Sequence, residues 1–554
     1  AKKLILENPF RLAQDIHGIG FKSADKIARK LGFELHSPHR IDAGIEYLLG
    51  ELSGDGHVCY PQADLITLAQ QNLEVAAKEI EERLEFLSFE GKLVFDEFVL
   101  EAKLTRFVYL KNLYRAEKGI ARELWRLLRH SKLVRSVDVE KALEWVQKEL
   151  KLSLAPNQAE AVKKALETKM HIITGGPGTG KSTITRAILR IMQKLTNRII
   201  LTAPTGRAAK RMAEITGWKA STIHSLLEFD FRGGFKRNRE NPIAADLIII
   251  DESSMIDTSL MYHLLKAIPD HAIVLFIGDI HQLPSVGPGN VLREMIQSNT
   301  LSVTTLIEIY RQAAGSEIIT NAHKINAGVF PHMNNQESGD CFFIEKENPQ
   351  EAIEAILQLI HHRIPKKYKK DPLQDIQVLS PMKKGPLGIE NLNQLIQARL
   401  NPEGASLLRM GRTYRIGDKV MQTRNNYNKN VFNGDIGIIE SIDQTDQIVR
   451  VRYEEQLVDY PFNDLDELIL AYAISIHKSQ GSEFPVVIIP ITTQHFMMLS
   501  RNLLYTAVTR AKELLILVGT KKAGHIAVRN NEVKKRYNGL CQTMQEMLYG
   551  KGGV

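Results

Sequence analysis

Apolar and polar positions give the chain two textures. Over residues 1–150 the apolar positions recur at helical spacing between short turns, which predicts a mainly helical region. From Leu154 onward, short consecutive apolar runs alternate with helical patterns: Met170–Thr174, Arg198–Thr202, Asp246–Ile250 and Ala272–Ile277. Runs that are apolar on both faces and separated by helices are the pattern of parallel strands covered on either side, so 151–300 is assigned to one α/β unit. A second set, Ile376–Ser380, Val486–Pro490 and Leu514–Val518, predicts another α/β unit formed by 301–402 and 468–554. Between its two parts, 403–467 changes character. Lys419–Gln422, Ile436–Ile439 and Ile448–Tyr453 are short strands, Asn433-Gly434 supplies a turn, and together they predict a small β-barrel insert.

Composition supports several cores, since 554 residues at 44% hydrophobic content exceed what one domain of about 150 residues needs. Lys and Arg outnumber Asp and Glu by 72 to 64, giving +8, which suits a polyanionic partner. The three cysteines, Cys59, Cys341 and Cys541, are far apart and form neither a disulfide framework nor a C-x-x-C site, so a reducing cytoplasm is the expected location. No apolar run reaches the roughly 18 residues of a membrane-spanning helix, and Ala1–Leu6 meets Glu7-Asn8-Pro9 at once, unlike a secretory signal. Because the chain opens on Ala1, close to a motif, an N-terminal part is expected to be missing. The basic cluster Lys366–Lys370 reads as a solvated loop.

The candidate chemistry begins at Gly175-Gly176-Pro177-Gly178-Thr179-Gly180-Lys181-Ser182-Thr183, which fits G-x-x-x-x-G-K-[ST] between a strand pattern and a helical one. Glycines let successive amides point at phosphate oxygens, and the following helix start adds partial positive charge. Lys181 would reach the β/γ-phosphates of ATP and Ser182 would ligate Mg²⁺. About 70 residues on, the apolar strand ending in Asp251-Glu252 has the Walker B form. Asp251 would hold the Mg²⁺ shell and Glu252 would orient and deprotonate the attacking water. After the next strand, Gln282 is placed to sense the γ-phosphate. Two arginines, Arg311 and Arg510, would neutralise transition-state charge from across a cleft.

In this order the motifs resemble the superfamily-one helicases, specifically the stand-alone bacterial RecD-like DNA helicases of the 5′-to-3′ group. Leu154–Gln158 is similar to the Q motif, with Gln158 reading adenine. Ala203–Lys210 is similar to motif Ia, Ala220–Leu227 to motif Ib, Asp251-Glu252 to motif II and Gly278–Gln282 to motif III. Tyr310–Gln312 is similar to motif IV, Ala473–Glu483 to motif V and Tyr505–Ala511 to motif VI. The resemblance covers nearly the whole chain. It implies an α/β fold of two RecA-like parallel-sheet domains flanking an ATP cleft, with the β-barrel insert and the helical N-terminal region appended. It assigns nucleotide contacts to Gln158, Gly176, Gly178, Thr179, Gly180, Lys181, Ser182, Thr183, Arg311, Gly481 and Arg510. DNA contacts fall on Thr205, Arg207, Thr222, His224, His477, Lys478 and Gln480.

Two further segments carry structural expectations. Residues 228–242, with aromatic alternation around Gly233-Gly234 and a basic far side, predict a β-hairpin; relatives place a strand-separating pin here, and a plain structural hairpin fits the same residues. Residues 8–32 read as helix, glycine hairpin, helix. The Gly18 and Gly20 amides with Lys22 and Lys26 could hold a DNA phosphate, or the hairpin could serve packing alone. The expected function is an ATP- and Mg²⁺-dependent helicase acting as a monomer on single-stranded and forked DNA, in repair or recombination. The competing reading is a DNA-stimulated ATPase subunit of a larger complex that unwinds little alone. A P-loop kinase is disfavoured by the two arginines and motif V, and a nuclease by the lack of any further carboxylate cluster.

Overall fold

The computed structural model describes residues 8–12, 20–230, 233–308, 315–331, 333, 339–409, 411–426, 428–454, 456–531 and 535–550. Of the expected helix-hairpin-helix, 13–19, including Gly18, lie outside the described residues. Its second helix is Phe21–Lys30, with Gly20 at the N-cap and Lys22 and Lys26 exposed. This helix is tied to the next, Pro38–Gly54, by the Arg40–Asp25 ion pair at 2.7 Å.

The N-terminal region is not only helical. It carries a three-stranded antiparallel sheet of β1 (Cys59–Pro61), β2 (Leu93–Leu100) and β3 (Lys103–Leu110) in the order β1-β3-β2. The β2–β3 turn is built on Glu101 and Ala102, both left-handed at φ 50 and 63. Two positive-φ residues match the twist of a tight hairpin, but the usual Asn or Gly is missing, so the pattern does not announce the turn.

The first α/β unit contains β4 (Met170–Gly175), β5 (Ile199–Ala203), β6 (Ala220–Thr222), β9 (Leu247–Ile250), β10 (Ile273–Gly278) and β11 (Ser302–Leu306). They form one sheet in the order β11-β4-β10-β9-β5-β6, all parallel. Every residue of β4, β9 and β10 is buried, because helices cover both faces. His171 in β4 is a satisfied core histidine: its ring nitrogens meet Ser302 Oγ at 2.9 Å and Thr304 Oγ1 at 3.1 Å, and burial pushes its pKa down to about 4. Since β11 pairs with β4, this unit runs through Leu306, past the boundary expected at 300. Between β6 and β9, β7 (Phe229–Asp230) and β8 (Gly234–Phe235) make a small antiparallel hairpin; Phe231 and Arg232 lie outside the described residues.

The second unit is a parallel five-stranded sheet of β12 (Cys341–Glu345), β13 (Ile376–Ser380), β21 (Ala473–Ser475), β22 (Phe484–Ile491) and β23 (Ala511–Gly519), in the order β12-β23-β22-β13-β21. The insert is antiparallel: β16 (Lys419–Gln422), β17 (Ile436–Asp443), β18 (Ile448–Tyr453), β19 (Gln456–Pro461) and β20 (Leu468–Leu470) form a sheet in the order β19-β18-β17-β16-β20. A separate ribbon of β14 (Ser406–Arg409) and β15 (Arg412–Arg415) packs Leu407 and Tyr414 onto its core, giving a barrel-like unit that extends to Leu470.

After the second sheet the chain returns to the first unit. Val58 N donates to Tyr537 O at 2.8 Å, and Arg536 donates to the carbonyls of Ser285, Gly287 and Gly289. Gly539 N donates to the buried Glu117, whose pKa burial raises to about 7. The final helix, Leu540–Tyr549, thus fastens the N-terminal region to the first sheet. Among the described residues no helix is long and apolar enough to cross a membrane.

Candidate active site

Strand β4 ends at Gly175, and the loop that follows turns into the helix Lys181–Met192 through Gly178 and Gly180 at φ 71 and 87. At Gly180 the conformation is left-handed, and an added Cβ would also sit 2.3 Å from Gln158 Nε2, so glycine is required twice over. Gln158 is buried. Its Oε1 accepts from Ala155 N at 3.1 Å and its Nε2 donates to Thr179 O at 2.9 Å. Adenine reading was expected of this side chain; its amide is instead spent on bracing the loop. Thr179 is likewise buried, its hydroxyl donating to Gly176 O at 2.8 Å. Lys181 Nζ donates to Gly175 O at 2.6 Å and Gly176 O at 2.9 Å, so the ammonium rests on the carbonyls of its own loop.

Asp251 follows β9 at the carboxyl end of the sheet, where its carboxylate accepts from Glu252 N at 2.8 Å. Burial, then the charge of Glu252, raises the Asp251 pKa, while Lys181 and Arg211 draw it back. Glu252 is left-handed at φ 49, a conformation costing an L-residue about 1 kcal/mol or more; strain of that kind gathers where side-chain direction serves function.

These groups line one cavity of about 570 Å³, within the usual range for small-molecule sites. Gly176, Gly178, Gly180, Lys181, Ser182 and Thr183 form its floor, and Asp251, Glu252 and Gln282 one wall. The opposite wall comes from the second unit. Arg510, 2% exposed, donates to Ser482 O and Thr506 O, each at 3.1 Å, and borders the same space. Arg311, its expected companion, lies outside the described residues. Gly481 does not reach this cavity: at φ 72 it backs onto Thr205, and Glu483 stands on the wall in its place. The donor set suits a divalent cation beside a triphosphate, because the exposed Ser182 hydroxyl and the Asp251 carboxylate share the cavity with the Lys181 ammonium.

Several cavity residues were not anticipated. Arg211 pairs with Glu483 at 2.6 Å across the cleft; its spacing of four from Arg207 on the helix Gly206–Thr216 was the available signal. Lys512 follows Arg510 by two, and Ser316, Ile318 and Ile319 close the side toward the second unit.

The expected DNA contacts separate into two groups. Thr205 caps the helix Gly206–Thr216, and Arg207 donates to Ser482 Oγ at 2.9 Å. Both remain partly accessible, His477 is exposed and Lys478 half-buried. Arg207 and Lys210 face Lys419 and Arg452 of the insert across a second cavity of about 500 Å³. Lys419, buried and then repelled by Arg207, has its pKa pushed down to about 7. Thr222 and Gln480 do not fit the expectation. Each is 5% exposed: Thr222 accepts from Ser225 N at 3.1 Å as a helix cap, and Gln480 donates to Leu283 O at 2.8 Å, bridging the two units. His224 packs its ring against Phe229 and Phe235 of the hairpin.

A P-loop on one parallel sheet, facing a buried arginine on a second, defines a two-lobed P-loop NTPase of the helicase type. The chain is 35% identical over 531 residues to the ATP-dependent RecD2 DNA helicase of Deinococcus radiodurans, covering 94% of this chain and 71% of that relative. It belongs to the RecD2-like family of superfamily-one ATP-dependent DNA helicases. Residues 1–59 match the ATP-dependent RecD2 DNA helicase HHH domain, 158–288 an AAA domain, 392–453 the ATP-dependent RecD-like DNA helicase SH3 domain and 470–518 a UvrD-like helicase C-terminal domain. The RecBCD enzyme subunit RecD of Mycobacterium tuberculosis is 28% identical over 491 residues, covering 82% of this chain and 83% of that one. A solved Bacteroides Pif1 helicase, in complex with ADP-AlF3 and single-stranded DNA, aligns with a TM-score of 0.41 at 20% identity, covering 66% of this chain and 92% of that one.

Proposed function

We propose that the chain hydrolyses ATP with Mg²⁺ in the cleft between the two α/β units and uses the cycle to move along single-stranded DNA and open duplexes. The observation that carries this reading is the shared cavity, in which Lys181 of the first unit and Arg510 of the second border the same space. Lys181 exchanges its bonds to its own loop for phosphate oxygens. Ser182 and Asp251 would hold Mg²⁺, which would supply positive charge to offset that of the triphosphate. Glu252 takes the proton of the attacking water, Gln282 orients that water, and Arg510, with Arg311 by resemblance, meets the charge that develops.

DNA contacts fall on Thr205, Arg207, His477 and Lys478, of which Arg207 lines the groove beside the insert, with His224 acting through the hairpin. Division of labour follows the units: the N-terminal region with its helix-hairpin-helix and the insert guide the strand, while the paired sheets turn over nucleotide. The resemblance implies 5′-to-3′ movement, a cytoplasmic monomer, and work in DNA repair or recombination.

Strand displacement on forked duplexes, compared with 5′ and 3′ single-stranded tails, tests the proposal. Displacement requiring the 5′ tail is expected. Hydrolysis stimulated by single strands without displacement on either fork would favour a remodelling ATPase subunit, and displacement on the 3′ tail alone would reverse the direction.

A further inference from the structure

Motif III lies where the two units meet, and one of its carboxylates is shared between them. Asp279, 1% exposed at the end of β10, has an Oδ1 that accepts from His281 N at 3.0 Å. Its Oδ2 accepts from Tyr505 of the second unit at 2.7 Å and, more weakly, from Gln282 Nε2 at 3.4 Å. Tyr505 is 1% exposed, so its hydroxyl is committed to this bond. Thr506 Oγ1 beside it accepts from Leu283 N at 2.8 Å, clamping the residue after Gln282 to the same helix. Tyr505 also crowds the phosphate loop: a Cβ on Gly176 would come within 2.9 Å of its hydroxyl oxygen.

A carboxylate only accepts hydrogen bonds, so the nitrogen end of the Gln282 amide must face Asp279. The oxygen end is thereby turned the other way. Gln282 is 9% exposed and borders the nucleotide cavity, and its Oε1 is buried without a hydrogen-bond partner. An orphaned buried acceptor costs free energy until a donor arrives, and Gln282 is the motif III side chain on the nucleotide cavity whose acceptor is still uncommitted.

We propose that Tyr505 is a positioning residue for ATP hydrolysis: by fixing the Asp279 carboxylate from the second unit, it holds the Gln282 amide in place at the wall of the nucleotide cavity. The water-orienting group is then in register only while the second unit is docked, which links hydrolysis to the closed state. This rests on the reading of Gln282 given above.

The test compares steady-state ATP hydrolysis, in the presence of single-stranded DNA, by the wild-type chain, Tyr505→Phe, Gln282→Ala and the double variant, each with its thermal midpoint. Tyr505→Phe removes one oxygen and keeps the ring. Expected is a fall in kcat of about tenfold, the scale of losing one hydrogen bond to a charged group, with KM for ATP within about twofold and a midpoint lowered by only a few degrees, because the buried Asp279 loses one donor. The double variant should be no slower than Gln282→Ala alone, because both changes disable one device. If Gln282→Ala is slow while Tyr505→Phe turns over normally, or if the two losses multiply, the Tyr505 role is overturned and the Gln282 reading stands. A normal rate in Gln282→Ala removes both. A midpoint lowered well beyond the loss of that one bond, with KM and kcat altered together, reduces Tyr505 to packing.

Discussion

Lys181→Ala is expected to take ATP turnover below detection, a loss of at least about a thousandfold. The side chain is the cation built into the phosphate loop, and nothing replaces it. Its ammonium already rests on the carbonyls of Gly175 and Gly176, so a triphosphate entering the cavity meets it at short range. Oriented cations of this kind act where water is excluded, and there they are worth several kcal/mol. Alanine also leaves two loop carbonyls without their donor, so nucleotide affinity should fall along with the rate. Phosphate release and fluorescent-nucleotide binding, measured on the same preparation, check both. Turnover near the wild-type rate would place the chemistry elsewhere.

Arg510→Ala should lower kcat by about 10³ to 10⁵, the range of arginine fingers, while nucleotide still binds. Here a buried guanidinium is held by main-chain oxygens of its own unit, Thr506 O and Ser482 O, rather than by a carboxylate. Its full charge is therefore available at the cavity edge. Arg510→Lys keeps the charge but loses the planar fork that bonds both carbonyls, so it should recover only part of the rate. Rapid-quench hydrolysis with a binding control separates the rate effect from affinity, and an unchanged kcat in Arg510→Ala would remove the finger role.

How much of this was legible in the chain depends on how local the signal is. The phosphate loop and the Asp251-Glu252 strand end declare themselves, because strand, turn and helix follow within a few residues and the chemistry lies on the turn. Polar residues whose bonds reach across the fold were harder. Gln158, Thr222 and Gln480 stand at motif positions, yet packing buries each of them, and their donors and acceptors go to Thr179, Ser225 and Leu283. A buried polar group must find a partner, and which one is a matter of tertiary placement. The same holds for the gains: neither the Arg211–Glu483 pair nor the Tyr505–Asp279 bond, 272 and 226 residues apart in sequence respectively, can be read from spacing. The β2–β3 hairpin was hidden for a different reason, a turn made from Glu101 and Ala102 where glycine or asparagine is usual.

Movement along DNA requires that grip change with the nucleotide, since a ligand shifts a conformational equilibrium only through differential affinity. The most direct measurement is the affinity for one single-stranded oligonucleotide with no nucleotide, with a non-hydrolysable ATP analogue and with ADP. Affinities that differ by about fivefold or more between the analogue and ADP states are expected if cleft closure is coupled to the strand. Equal affinity in all three states would contradict that coupling.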